Sequence, residues 1–110
     1  MKIAVIEEEK PIREGLVHIL NEISPEYQVV GSAENGVEGL ILLEEEMPDL
    51  IMLDIQMPDM DGLQMLKEAR ARGIYTKVII LTAYSDFSYA KKAIELGIEN
   101  YLLKPVNLTE

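Results

Sequence analysis

The sequence predicts an α/β protein built on a parallel sheet, one domain of the pattern (βα)₄β. Three observations predict it. Apolar runs of strand length alternate with helix-period segments along the chain. Clusters of Gly, Pro and Asp separate them. The third apolar run, Leu50–Leu53, is continuous and does not alternate, as in a central parallel strand buried on both faces. Length agrees: 110 residues suit one domain. A chain of this size buries roughly 60–70% of the surface it exposes unfolded, enough for one core.

Residues 2–6 are the first strand-length run. Residues 11–23 carry Ile12, Leu16, Ile19, Leu20 and Ile23 at the spacing of one helical face. Pro11 suits a first turn, where its missing N–H costs nothing, and Ser24-Pro25 ends the helix. Residues 27–31 read as a second strand and 35–46 as a second helix, weakened in its first turn by Gly36 and Gly39 and ended by Met47-Pro48. Residues 50–53 are the third strand, and 54–62 a loop walled by Met57 and Met60. A third helix spans 63–72, with Gly73 as its left-handed stop. The fourth strand, 77–81, holds the β-prone Val78–Leu81. Ser85-Asp86 caps a fourth helix over 87–96, which Gly97 closes. A short fifth strand, 100–103, precedes Lys104-Pro105. Asn107-Leu108-Thr109-Glu110 reads as the cap and first turn of a truncated fifth helix, so residues 1–110 read as the N-terminal part of a longer protein. An absent fifth helix would leave the sheet face beside the first and fifth strands open to association.

Composition narrows the function. Twenty Asp and Glu against ten Lys and Arg give a formal charge of −10, the wrong sign for binding nucleic acid. Cations or a basic partner face are the natural counterparts, while most of the acids simply solvate helix surfaces. The lack of Cys excludes disulfides and thiolate metal sites and fits a reducing cytosol. The N-terminus shows no signal-peptide pattern, and no apolar run approaches the ~20 residues of a membrane span. The expected location is the cytoplasm.

The chemistry gathers at one edge. Glu7, Glu8 and Glu9 follow the first strand, Asp54 the third, Thr82 the fourth and Lys104 the fifth. In a parallel sheet these carboxyl ends share the edge where ligands bind. Clustered carboxylates repel unless a cation is present. Mg²⁺ takes oxygen ligands, keeps several waters and can clamp a phosphoryl group. An aspartate is ordinarily ionised at neutral pH and can form an acyl phosphate without a general base. The charge on the three oxygens of the transferred group could be met by Mg²⁺, by Lys104, and by the Thr82 hydroxyl with backbone N–H groups.

These residues resemble the response-regulator receiver family across essentially the whole chain. The matching pieces are Lys2–Glu9, the loop Asp54-Ile55-Gln56-Met57-Pro58-Asp59-Met60-Asp61-Gly62, Ile80–Tyr84 and Tyr101–Pro105. Residues 85–97 resemble receivers attached to AraC-type helix-turn-helix output domains. The resemblance implies a flavodoxin-like (βα)₅ fold with strand order 2-1-3-4-5. It implies that Asp54 takes phosphate from a sensor histidine kinase, that Glu8 ligates Mg²⁺ directly and Glu7 through water, and that Asp54 and the Gln56 backbone carbonyl are further ligands. Lys104 would contact the phosphate, Thr82 and Tyr101 would form the switch pair, and Lys104–Pro105 would be cis. The partners would be the kinase and the chain's own C-terminal output domain or a homodimer partner. No nucleic acid or membrane would be bound by this domain, and it would be a signalling module and not an enzyme.

One departure matters. The family usually carries two Asp where this chain has Glu7 and Glu8, which puts each carboxylate roughly 1.5 Å farther from the backbone. Mg²⁺ demands near-ideal geometry, so a pseudo-receiver that binds partners without taking phosphate is the main alternative. A small phosphohydrolase is a weaker one, since Gln56 stands where its general acid would be and no cap domain is present. Plainer roles stand beside the chemical ones. Asp54 could cap a turn, Glu7 and Glu8 could form a solvated turn or cap the helix that starts at Pro11, and Thr82, Tyr101 and Lys104 could be ordinary sheet and surface residues. Glu9 reads as a helix-entry charge, His18 as a helix-surface residue, and Gly62 as a residue allowing positive φ.

Overall fold

In the computed structural model, the described residues are 1–82 and 100–103, with side chains described through Leu81. The predicted fourth helix with its Ser85-Asp86 cap and Gly97 stop, Lys104-Pro105, and the start of a fifth helix all lie outside them.

The elements run β1 (Lys2–Ile6), α1 (Lys10–Ile23), β2 (Gln28–Ala33), α2 (Gly36–Glu46), β3 (Leu50–Asp54), α3 (Gly62–Ala71), β4 (Lys77–Thr82) and β5 (Asn100–Leu103). All strand pairs are parallel, in the order β2-β1-β3-β4-β5. This is the predicted flavodoxin-like topology, with the order of strands reversing between β1 and β3.

The period of two along each strand sorts the side chains into two cores. Ala4, Ile6, Ile51, Leu53, Val78 and Ile80 pack with Leu40 and Leu43 of α2 and Met65, Leu66 and Ala69 of α3. Ile3, Val5, Met52 and Leu81 pack with Leu16 and Leu20 of α1. Both faces of β1 and β3 are therefore covered, which is why β3 reads as a continuous apolar run. Ile3 and Val5 are 1% and 0% exposed, so on its β1 side the face expected to lie open is closed.

Element ends follow local chemistry. Glu9 is the N-cap of α1 but makes no side-chain cap bond, and Pro11 lies in the first turn. Asn35 caps α2 by accepting the Glu38 N–H at 2.8 Å. Asp61 and Gln64 form a reciprocal capping box at α3. Gly73 takes the predicted left-handed conformation, φ 81°. The second strand starts one residue later than predicted and runs on to Ala33. Its pairing with β1 extends to Ile6↔Ala33, and the register shifts between Ile3 and Ala4, whose partners are Val29 and Gly31. That bulge accommodates Val30 as an extra residue.

Candidate functional site

The sheet register assembles the site. Ile6 pairs with Leu53, Asp54 with Leu81 and Thr82 with Leu103. Glu7 and Asp54 thus leave adjacent strands at one level, and β4 ends beside them at Thr82. Neighbouring parallel strands lie about 4.8 Å apart, so the C-terminal edge brings together residues that are far apart in sequence.

Glu7 is fully buried, 0% exposed. Its N–H donates to the Ala33 carbonyl at 2.9 Å, continuing the β1–β2 ladder one residue past the strand. This excludes a solvated turn for Glu7. Glu8 and Glu9 are exposed, and Glu9 stays a helix-entry charge. His18 is likewise a surface residue, 3.3 Å from Glu22.

Arg13 escaped the sequence argument. From the first turn of α1 its Nη1 donates to the carbonyls of Glu7 at 2.9 Å and Glu8 at 3.1 Å. The guanidinium ties down the backbone of the acidic turn. A signal was present: the macrodipole disfavours a base at a helix N-terminus, so Arg13 in that first turn called for a specific partner.

Asp54 closes β3 with 4% exposure. Its Oδ1 accepts the Gln56 N–H at 3.3 Å. Beside it lies a recess of about 450 Å³ lined by Glu8, Ile55, Gln56, Met57, Pro58 and Asp61. A larger recess of about 760 Å³ lies at the opposite edge of the sheet, around Met47, Ile74 and Tyr75, away from all of these residues.

The loop after β3 corrects one expectation. Gly62 is not at positive φ; among the described residues, those with positive φ are Met47, Asp59 and Gly73. Gly62 is required by close approach instead. A Cβ there would overlap the Asp54 carbonyl oxygen and sit 3.0 Å from Ile55 Cα. Its N–H donates to the Ile55 carbonyl at 2.7 Å. The positive φ falls on Asp59, 67°, where the Met60 N–H reaches back to the Pro58 carbonyl at 2.7 Å, a strained γ-turn. Met57 lines the recess as expected, while Met60 packs onto the α2–α3 core.

The donor types suit a hard divalent cation: the Glu8 and Asp54 carboxylates and the Gln56 backbone carbonyl, with Glu7 behind them. The recess shared by Glu8 and Gln56, and the bond from Gln56 to Asp54, bring these positions to one opening. Among the described residues no three His, Cys, Asp or Glu side chains converge on a metal position. The backbone of Thr82 ends β4 and that of Tyr101 lies opposite Ile80; their side chains, and Lys104, lie outside the described residues.

The profile of the response regulator receiver domain matches residues 3–110. The chain belongs to this family. The receiver is 38% identical over 104 residues to the transcriptional regulatory protein YhcZ of Bacillus subtilis, covering 94% of the chain and 48% of YhcZ. It is 34% identical over 106 residues to YesN of the same organism, covering 96% of the chain and 29% of YesN. The receiver thus spans less than half the length of these curated relatives. Among solved structures, the receiver domain of the response regulator NarL from Mycobacterium tuberculosis superposes with a TM-score of 0.90 at 32% identity, covering 99% of this chain and 87% of that one. The receiver domain of AraT from Geobacillus stearothermophilus gives 0.83 at 38% identity, covering 96% and 82%. Among the described residues no helix is long and apolar enough to cross a membrane.

Proposed function

We propose that this receiver accepts a phosphoryl group on Asp54 from the phosphohistidine of a sensor histidine kinase, with Mg²⁺, and that the new charge switches its conformation to control an output domain, a transcriptional one, or a homodimer partner. The observation that carries the reading is the setting of Asp54. It ends the central strand, nearly enclosed at 4% exposure, beside the recess lined by Glu8 and Gln56. A carboxylate oxygen attacks phosphorus. The O–P bond forms, the N–P bond breaks, and its electron pair stays on the imidazole nitrogen of the kinase, which then takes a proton from water.

Glu8, Asp54 and the Gln56 carbonyl hold Mg²⁺ in this reading, with Glu7 reaching it through water. When bound, the ion neutralises one phosphoryl oxygen. Lys104 meets a second, and the Thr82 hydroxyl with backbone N–H groups meets the third. Phosphorylation adds about −1.5 to −2 charge, which biases a pre-existing equilibrium read by Thr82 and Tyr101. The role is signalling, and we assign no turnover of a diffusible substrate. Incubation with Mg²⁺ and acetyl phosphate, followed by intact-mass spectrometry, tests it. One phosphoryl adduct is expected, absent without Mg²⁺ and absent in Asp54→Asn. An adduct that survives Asp54→Asn overturns the assignment.

The full enclosure of Glu7, one methylene longer than the usual Asp, supports a second reading, a pseudo-receiver with weak Mg²⁺ binding. The double variant Glu7→Asp with Glu8→Asp separates the two. An adduct only in that variant favours the pseudo-receiver, and an adduct in neither protein counts against Asp54 as acceptor.

A further inference from the structure

We infer that Gly36 is a positioning residue for the phosphoacceptor loop, holding the Met60 carbonyl so that residues 54–62 keep their path past Asp54; this rests on the role proposed for Asp54. Gly36 is the first residue of α2, and its N–H is one of the donors that a helix start cannot satisfy internally. The Asn35 side chain takes the Glu38 N–H instead. The Gly36 N–H goes to the loop, donating to the Met60 carbonyl at 3.0 Å. The approach needs glycine. A Cβ at position 36 would lie 2.8 Å from Met60 Cγ and 2.9 Å from its carbonyl carbon, and would overlap its oxygen.

The loop has little freedom to yield. On one side of Met60, the Met60 N–H closes the γ-turn on the Pro58 carbonyl and Asp59 already sits at φ 67°. On the other side, Asp61 is locked into the capping box of α3, and Gly62 is bound to the Ile55 carbonyl and pressed against the backbone of Asp54. A push on Met60 is therefore passed to the segment that carries Gln56 and Asp54. Gly39, one turn along the same helix, makes the contrast. A Cβ there would meet Met65 Sδ at 2.9 Å and two Ile6 methyl groups at 3.0 Å, all side-chain ends in the core and none in the loop.

The test compares wild type, Gly36→Ala and Gly39→Ala. Thermal melts fix a temperature at which each is folded, and the rate and half-saturating concentration of phosphorylation by acetyl phosphate are then measured with Mg²⁺. Both variants are expected to melt lower than wild type. Gly36→Ala is expected to lose about 10- to 100-fold in maximal rate, the scale of a reacting group displaced by about 1 Å, while Gly39→Ala stays within about twofold. A Gly36→Ala rate equal to that of Gly39→Ala overturns the inference and leaves Asp54 as acceptor. A wild type that takes no phosphoryl group overturns both. Hydrogen exchange in the wild type gives an answer even if Gly36→Ala does not fold. Coupling is reciprocal, so the Gly36 amide should change its exchange rate on phosphorylation by more than the other amides of α2. An unchanged Gly36 amide also overturns the inference.

Discussion

Arg13→Ala should loosen the acidic turn while leaving the sheet intact. The guanidinium makes two bonds to backbone carbonyls, one part-buried to Glu7 and one exposed to Glu8. Hydrogen bonds to charged groups contribute about 1.5–3 kcal/mol when sheltered. The Glu8 carbonyl can be rehydrated once Arg13 is gone, so its bond counts for little. The bond to the Glu7 carbonyl is part-buried and carries most of the loss, giving a net cost of about 2 kcal/mol. For a domain of this size that lowers Tm by roughly 9 °C. Urea unfolding with an unchanged m-value is the assay, since only the midpoint should move. Arg13→Lys, which offers a point charge and no planar fork, should fall between the two. A loss below about 0.5 kcal/mol would refute the reasoning, because it is the size expected of an ordinary surface change.

Three further outcomes follow from the packing. Leu53→Ala empties a fully buried position in the larger core and should cost about 2–5 kcal/mol by urea unfolding. Gly62→Ala drives a methyl group into the Asp54 backbone and should cost at least as much as overpacking usually does, about 1–3 kcal/mol, while also slowing phosphorylation. At Asp59, with φ 67°, Asp59→Ala should be less stable than Asp59→Gly by about 1 kcal/mol, the cost of a side chain in left-handed backbone; equal midpoints would show that the turn relaxes without strain.

The fold was legible because several signals agree. The alternation of periods placed the described elements, the unbroken apolar run of β3 announced a strand buried on both faces, and Gly73 marked the end of α3. Errors fell where tertiary pairing overrides local preference. The second strand runs to Ala33 because β1 offers partners as far as Ile6, which no window over residues 27–33 reveals. At the candidate site, the place of Asp54 at the carboxyl end of β3 could be read from motif and position. The reason for Gly62 could not, because glycine serves both positive φ and close approach, and only coordinates separate the two. Arg13 was half-legible: its charge at a helix start called for a partner, but the partners are backbone carbonyls, which carry no sequence signature. Gly36 was read as a weakness in a helix, when its missing side chain is what admits Met60.

The two glutamates should not be equivalent, although the sequence treats them as a pair. Glu7 continues the sheet and is enclosed, while Glu8 is exposed and lines the recess with Gln56. In the proposed site Glu8 touches Mg²⁺ and Glu7 reaches it through water. A cation that binds only the folded state stabilises it by RT ln(1 + [L]/Kd). Losing a direct carboxylate ligand should weaken affinity tenfold or more; with Mg²⁺ at about ten times the wild-type Kd, that cuts the gain from about 1.4 to about 0.4 kcal/mol. Glu8→Gln should therefore lose most of the rise in Tm that Mg²⁺ confers, and Glu7→Gln less than half of it. Measuring the gain within each variant, with and without Mg²⁺, cancels any change that the substitution itself makes to the fold. If Glu7→Gln loses the larger share, the enclosed carboxylate is the direct ligand and the assignment of the pair reverses. If wild type gains nothing from Mg²⁺, the longer side chains have displaced the ion and the pseudo-receiver reading stands.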